Sequence, residues 1–123
     1  MHILLAEDIE ANRKVVKLFL KDSPVSIDVA ENGKEAVDKV FKGQYDIILM
    51  DMQMPVMDGC QATEEIRSFN RTLPIIAMTA NAMVGDREKC IACGMDEYVS
   101  KPLDVEHLRD ILGRWIKLRP AAK

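Results

Sequence analysis

The chain has 123 residues, 48% of them hydrophobic and 30% charged, with a formal net charge of −3. That length suits one domain with a real core. The acidic balance supplies no clustered positive face for nucleic acid, and no apolar stretch approaches bilayer length, so neither nucleic-acid binding nor membrane insertion is expected.

In chain order, Ile3-Leu4-Leu5-Ala6 is a short apolar run that reads as a buried strand and leads into Glu7-Asp8. A helix follows from about Ile9 to Lys21, with Val15, Val16, Phe19 and Leu20 as its apolar stripe. Ser26 to Ala30 alternates as a second strand. Asn32-Gly33 then turns the chain into a helix carrying Ala36, Val37, Val40 and Phe41. Ile47-Ile48-Leu49-Met50 is a third strand ending on Asp51, and the helix after Gly59 places Ala62, Ile66 and Phe69 on one side. The fourth strand, Pro74 to Met78, ends on Thr79. The helix predicted from about Val84 to Cys93 is the least amphipathic of the set, with Gly94 suited to a left-handed stop. Tyr98-Val99-Ser100 is the fifth strand and leads into Lys101-Pro102. Asp104 can cap a last helix whose Leu108, Ile111, Leu112, Trp115 and Ile116 keep helical spacing. Residues 1–118 read as a single domain and 119–123 as a loose tail.

Strict strand–helix alternation argues for a parallel α/β sheet covered by helices on both faces. Ligands of such sheets sit beyond the carboxyl ends of the strands. Glu7, Asp8, Asp51, Thr79 and Lys101 therefore converge on one crevice. Three carboxylates there repel one another by roughly 4 kcal/mol per pair at about 4 Å and an effective dielectric near 20. Either one is protonated or a cation joins them, and a hard ion that keeps several waters and suits a phosphate partner is Mg²⁺, with Mn²⁺ as a substitute. Asp51 is the natural nucleophile, since a carboxylate can hold a phosphoryl group as an acyl phosphate.

Glu7-Asp8, the run Met50–Gly59, the run Met78–Ala82 and the run Tyr98–Pro102, each at a strand end and in register over essentially the whole chain, resemble the receiver domain of two-component response regulators. That resemblance implies the flavodoxin-like strand order 2-1-3-4-5. It further implies a phosphoacceptor, rather than a free-standing enzyme, that takes a phosphoryl group from a phosphohistidine on a histidine kinase or histidine phosphotransfer domain and forms a 4-aspartylphosphate. By the same resemblance Asp8 and Asp51 contact the metal directly, Glu7 helps through water, and the backbone carbonyl of Gln53 adds a ligand. Lys101, the Thr79 hydroxyl and the Ala80 amide would meet phosphoryl oxygens. Pro102 would follow a cis peptide that aims the lysine inward. Gln53 and Asn81 match positions that tune self-hydrolysis. Thr79 and Tyr98 match a switching pair read by a downstream partner on the face of helix four, strand five and helix five. The wording of Gln53–Gly59 and Thr79–Met83 is most similar to receivers of hybrid histidine kinases and phosphorelays.

Two rival readings stand beside this one. Haloacid-dehalogenase phosphatases also use an aspartyl phosphate, but they place a second Asp two residues after the first, where this chain has Gln53. A receiver-like interaction module without phosphorylation would be expected to lack some of Asp8, Asp51, Thr79 or Lys101, and all are present. With no signal-like leader before the first strand and an odd number of cysteines, a cytoplasmic chain with free thiols is expected. Cys90 and Cys93 then read as small buried residues, His2 and His107 as surface or cap residues, and the methionines from Met50 to Met57 as adaptable packing.

Overall fold

The computed structural model describes residues 2–22, 25–79, 84–101 and 104–118. Its elements run β1 (His2–Ala6), α1 (Glu10–Phe19), β2 (Ser26–Ala30), α2 (Gly33–Lys42), β3 (Ile47–Asp51), α3 (Gly59–Arg67), β4 (Ile75–Thr79), α4 (Val84–Ala92), β5 (Glu97–Ser100) and α5 (Val105–Leu118). All four strand pairings are parallel and the order is β2-β1-β3-β4-β5. The predicted alternation and strand order are both present.

Every residue of β3 and β4 is buried, as continuous apolar runs in the middle of a doubly covered sheet require. Successive side chains divide between two cores. Leu4, Ile48, Met50, Ile75 and Ala77 pack with Ala36, Val40, Ala62, Ile66 and Cys90, which places α2, α3 and α4 on one face. Ile3, Leu5, Leu49, Ile76 and Met78 pack with Val16, Leu20, Leu108, Ile111 and Leu112, which places α1 and α5 on the other. Each fully buried aliphatic side chain contributes about 1.5–3 kcal/mol.

Local signals set the helix starts. Asn32 caps α2 by accepting from Glu35 N. Asp58 and Gln61 form a reciprocal capping box on α3 at 2.8 and 3.1 Å. Asp104 accepts from Glu106 N at the start of α5. Gly94, at φ 109°, adopts the left-handed conformation expected just past α4.

Three apolar positions depart from their predicted stripes. Val15 is exposed, whereas Val16 and Leu20 are buried in the core and Phe19 packs part-buried against it. Phe41 is 72% exposed and stacks edge-on against exposed Phe69 at 5.3 Å. Phe69 itself lies two residues beyond the end of α3. The cysteine expectation fails in part: Cys60 and Cys93 are joined in a disulfide, while Cys90 and Cys93 are both buried as expected. Both α3 and α4 cover the same sheet face, so residues 33 positions apart meet with Cα atoms 5.5 Å apart. Sequence spacing carries no trace of that meeting. The methionine expectation holds, since Met52, Met54 and Met57 pack against the core on that face.

Candidate functional site

Five backbone positions are fixed by the sheet before any side chain is considered. Glu7 follows β1 directly, with its amide donating to Ala30 O, and Asp8 comes next. Asp51 and Thr79 are the last residues of adjacent β3 and β4. Lys101 follows β5, and its amide donates to Thr79 O at 2.8 Å. The sheet thus gathers to one edge the residues that the sequence scatters over most of its length.

Their side chains form one charged cluster. Lys101 Nζ lies 2.9 Å from Glu7 Oε1 and 3.2 Å from Asp51 Oδ2. Glu7 is 1% and Asp51 5% exposed. One ammonium therefore faces two buried carboxylates, and the third, Asp8, lies alongside: Glu7, Asp8 and Asp51 each offer an oxygen within 4.8 Å of the others. Asp8 Oδ1 is buried and has no hydrogen-bond partner. A buried carboxylate oxygen without a donor is costly, and a hard cation bound by oxygen ligands removes that cost. The donor set thus fits a divalent metal ion.

The ionisation balance points the same way. Burial and the Glu7 hydrogen bond raise Asp51 to about 6, against the opposing Gln53 amide and Lys101 charge. Burial also pushes Glu7 up, but the hydrogen bonds from Lys101 and Asp51 and the Lys101 charge outweigh it and leave Glu7 below its ordinary value. Lys101 is lowered by burial, yet its two carboxylate partners hold it above its ordinary value. Glu7 and Asp51 are best described as a pair that retains a proton to higher pH than a free carboxyl.

The loop after Asp51 is held close. Gly59 N donates to Met52 O, and a Cβ at Gly59 would collide with the Asp51 carbonyl, so only glycine lets α3 begin there. Gln53 N donates to Asp51 Oδ1 at 3.2 Å, and the Gln53 side chain is exposed. Val56 has φ 68°, in a tight turn where Met57 N donates to Pro55 O. On the neighbouring strands Ala77 pairs with Tyr98 and Thr79 with Ser100. Alternation then puts Thr79 and half-buried Tyr98 on the α4 side, where Tyr98 packs against the core.

Of the sequence-predicted residues, Glu7, Asp8, Asp51, Thr79 and Lys101 are brought to one edge. Gln53 borders Asp51, and Tyr98 lies on β5, next to the strand that ends on Thr79. Ala80, Asn81, Met83, Pro102 and the tail 119–123 lie outside the described residues. Sequence reasoning sent Lys101 toward a phosphoryl oxygen; in this structure it bonds Glu7 and Asp51. It also missed Arg13, whose guanidinium donates to Glu7 O at 2.9 Å and braces the β1 end. An arginine one turn into a helix gives no sign of that role. His2 is a surface residue as expected, with Nε2 3.2 Å from Asp28, and His107 is exposed. No described helix is long and apolar enough to cross a membrane.

Comparison with known proteins agrees with this geometry. The two-component system protein A of Emericella nidulans is 49% identical over 93% of this chain, and the signal transduction histidine-protein kinase BarA of Escherichia coli is 37% identical over 94%. The chain spans only 17% and 13% of those two proteins. The receiver domain of sensor histidine kinase PA1611 from Pseudomonas aeruginosa, crystallised with magnesium in its active site cleft, superposes with a TM-score of 0.88 at 43% identity, covering 94% of this chain and 97% of that one. A chain of the Saccharomyces cerevisiae complex between the histidine phosphotransfer protein Ypd1 and the receiver domain of Ssk1 gives 0.88 at 29% identity, covering 94% of this chain and 88% of that one. Residues 3–113 match the response regulator receiver domain, and with the strand order and acidic edge described above the chain belongs to that family.

Proposed function

We propose that Asp51 is the phosphoacceptor of this receiver domain and that Glu7, Asp8 and Asp51, with the Gln53 backbone carbonyl, hold Mg²⁺ or Mn²⁺ beside it. The observation that carries this reading is the orphaned Asp8 Oδ1 inside a cluster of three carboxylates. A bound divalent cation supplies charge neutralisation for the transferring phosphoryl group and for the carboxylates themselves.

The remaining work falls to this chain's own residues. An Asp51 carboxylate oxygen attacks phosphorus as the bond from phosphorus to the donor imidazole nitrogen breaks, leaving an acyl phosphate on Asp51. Lys101, already 3.2 Å from Asp51 Oδ2, can transfer its hydrogen bond from the carboxylate to a phosphoryl oxygen. The Thr79 hydroxyl and the Ala80 amide would meet another. Gln53 and Asn81 border the path of a hydrolytic water and set the lifetime of the phosphoryl group; an amide side chain can orient that water but cannot take its proton. In this way the domain assists its own phosphorylation and dephosphorylation. The donor would be a cytoplasmic histidine kinase or histidine phosphotransfer domain. Exposed Ile9 and Val56 rim the acidic edge and suit a partner that docks through apolar contacts.

Output would pass through Thr79 and Tyr98. Phosphorylation adds about −1.5 to −2 charges, drawing Thr79 toward the new oxygens and opening space that the Tyr98 ring fills from the same sheet face. A downstream protein then reads α4, β5 and α5. The test is incubation with acetyl phosphate and Mg²⁺, read by intact mass. One phosphoryl group should appear, and be lost in Asp51→Ala and with excess chelator. Undiminished labelling of Asp51→Ala would assign the phosphoryl group elsewhere. For the output half, NMR shifts on beryllofluoride binding should reach Tyr98 and residues 84–95. Shifts confined to the Asp51 loop would refute the switch alone.

A further inference from the structure

The disulfide between Cys60 and Cys93 joins two places that matter to the acidic edge. Cys60 follows Gly59, the residue seated against the Asp51 carbonyl, and its Sγ lies 3.6 Å from Lys89 O in α4. Cys93 is the first residue after α4, and its Sγ lies 3.3 Å from Cys90 O. The crosslink therefore staples the start of α3, the floor of the Asp51 loop, to the end of α4, a part of the proposed output face. Cys90 stays a thiol, fully buried, with Sγ 3.6 Å from Sδ of Met52, the residue after Asp51.

A second, non-covalent tether runs parallel to the first. Arg67, the last residue of α3, donates to Gly94 O at 2.9 Å and Leu73 O at 2.7 Å and pairs with Asp96 Oδ2 at 2.8 Å. Asp96 in turn accepts from Ile75 N at the start of β4. That clamp holds the α4–β5 turn on α3 whether or not the sulfurs are joined. Opening the disulfide would release the end of α4 without dispersing the two cysteines, which is the condition for closing it again.

We propose that Cys60 and Cys93 are a reversible redox latch that fixes α4 when oxidised and frees it when reduced. The partner chemistry is a small disulfide oxidant and its thiol, such as the glutathione couple. Partly exposed Cys60 attacks one sulfur of the oxidant, whose S–S bond breaks to release one thiol with its proton. Cys93, 8% exposed and beside it, attacks the Cys60 sulfur and releases the second thiol. Two cysteine thiols lose two electrons to form one disulfide, and one oxidant disulfide gains them to become two thiols. The latch adds redox control to the proposed phosphoacceptor site and rests on that reading only where labelling is concerned.

The test equilibrates the chain in oxidised or reduced glutathione, followed by alkylation and peptide mapping, then hydrogen exchange and acetyl phosphate labelling with Mg²⁺. Oxidised protein should lose two alkylatable thiols to a Cys60–Cys93 crosslink that reduced glutathione reverses. Amides from Lys89 to Gly94 should exchange at least tenfold more slowly when oxidised, and labelling should fall at least threefold. Cys60→Ser should abolish both differences while Cys90→Ser keeps them. Cys93→Ala, checked for its fold by circular dichroism, repeats the first variant from the other side. A crosslink through Cys90, no crosslink, or equal exchange in both redox forms would overturn the latch. Labelling absent from both forms, with crosslink and exchange difference intact, would refute the Asp51 assignment and uphold the latch.

Discussion

Replacing Asp51 with Asn should stabilise the metal-free domain, although it removes the residue on which the proposed chemistry depends. Asp51 is buried and its carboxyl is raised from the ordinary 3.8 to about 6. At about 1.4 kcal/mol per pH unit, the native state bears about 3 kcal/mol for ionising it. The sign follows from linkage. Above pH 6 the group is ionised in both folded and unfolded chains, and the whole cost falls on the native state. Between 6 and 3.8 the native state holds a proton that the unfolded chain has released, so the cost shrinks. Below 3.8 both are protonated and it vanishes. Asn removes the charge while keeping an oxygen for the Gln53 amide, and Lys101 keeps Glu7 at 2.9 Å. Losing the 3.2 Å pairing of Lys101 with Asp51 offsets part of the gain, so the expected net stabilisation is about 1–3 kcal/mol at neutral pH. Urea unfolding followed by circular dichroism, in chelator, should show it at pH 7.5 and show little of it at pH 4. Saturating Mg²⁺ should shrink the gain at pH 7.5, because the cation stabilises the wild-type carboxylates and has one fewer ligand in the variant. A destabilised Asp51→Asn at pH 7.5, or an equal gain at both pH values, would refute the account of a strained acidic cluster.

Lys101→Met should cost on the order of 3 kcal/mol, because Glu7 is left as a buried carboxylate without its cation; urea unfolding checks the loss, and acetyl phosphate labelling should fall with it. Val56→Gly should stabilise by about 1 kcal/mol by relieving a β-branched residue at positive φ, net of the entropy glycine adds to the unfolded chain. A denaturation midpoint that does not rise would show that the turn is not strained. Substitutions at Gln53 and Asn81 should change the decay rate of the labelled protein severalfold with stability shifts within about 0.5 kcal/mol, Gln53 being exposed. Decay at the wild-type rate in all such variants would remove both residues from the hydrolytic path.

Local sequence pattern specifies the sheet and its acidic edge. Apolar runs such as Ile47–Met50 and Pro74–Met78 are too short and too continuous for anything but doubly buried strands, and in this topology the residues ending them must share one edge. Asp51, Thr79 and Lys101 were therefore placed by local pattern plus one topological rule. Capping followed equally local rules, and Asn32, Asp58 and Asp104 all take the first-turn amides of their helices. Contacts between elements with no shared periodicity are set by packing in three dimensions. That packing gave Lys101 to Glu7 and Asp51, left Asp8 Oδ1 without a donor, and set Arg13 against the Glu7 carbonyl. It also joined Cys60 to Cys93 and turned Val15 and Phe41 out to solvent. These outcomes depend on how two helices settle over one sheet face and on which side chain reaches which charge first. A one-dimensional pattern encodes the period of burial along each element, but not the distances between elements that packing finally sets.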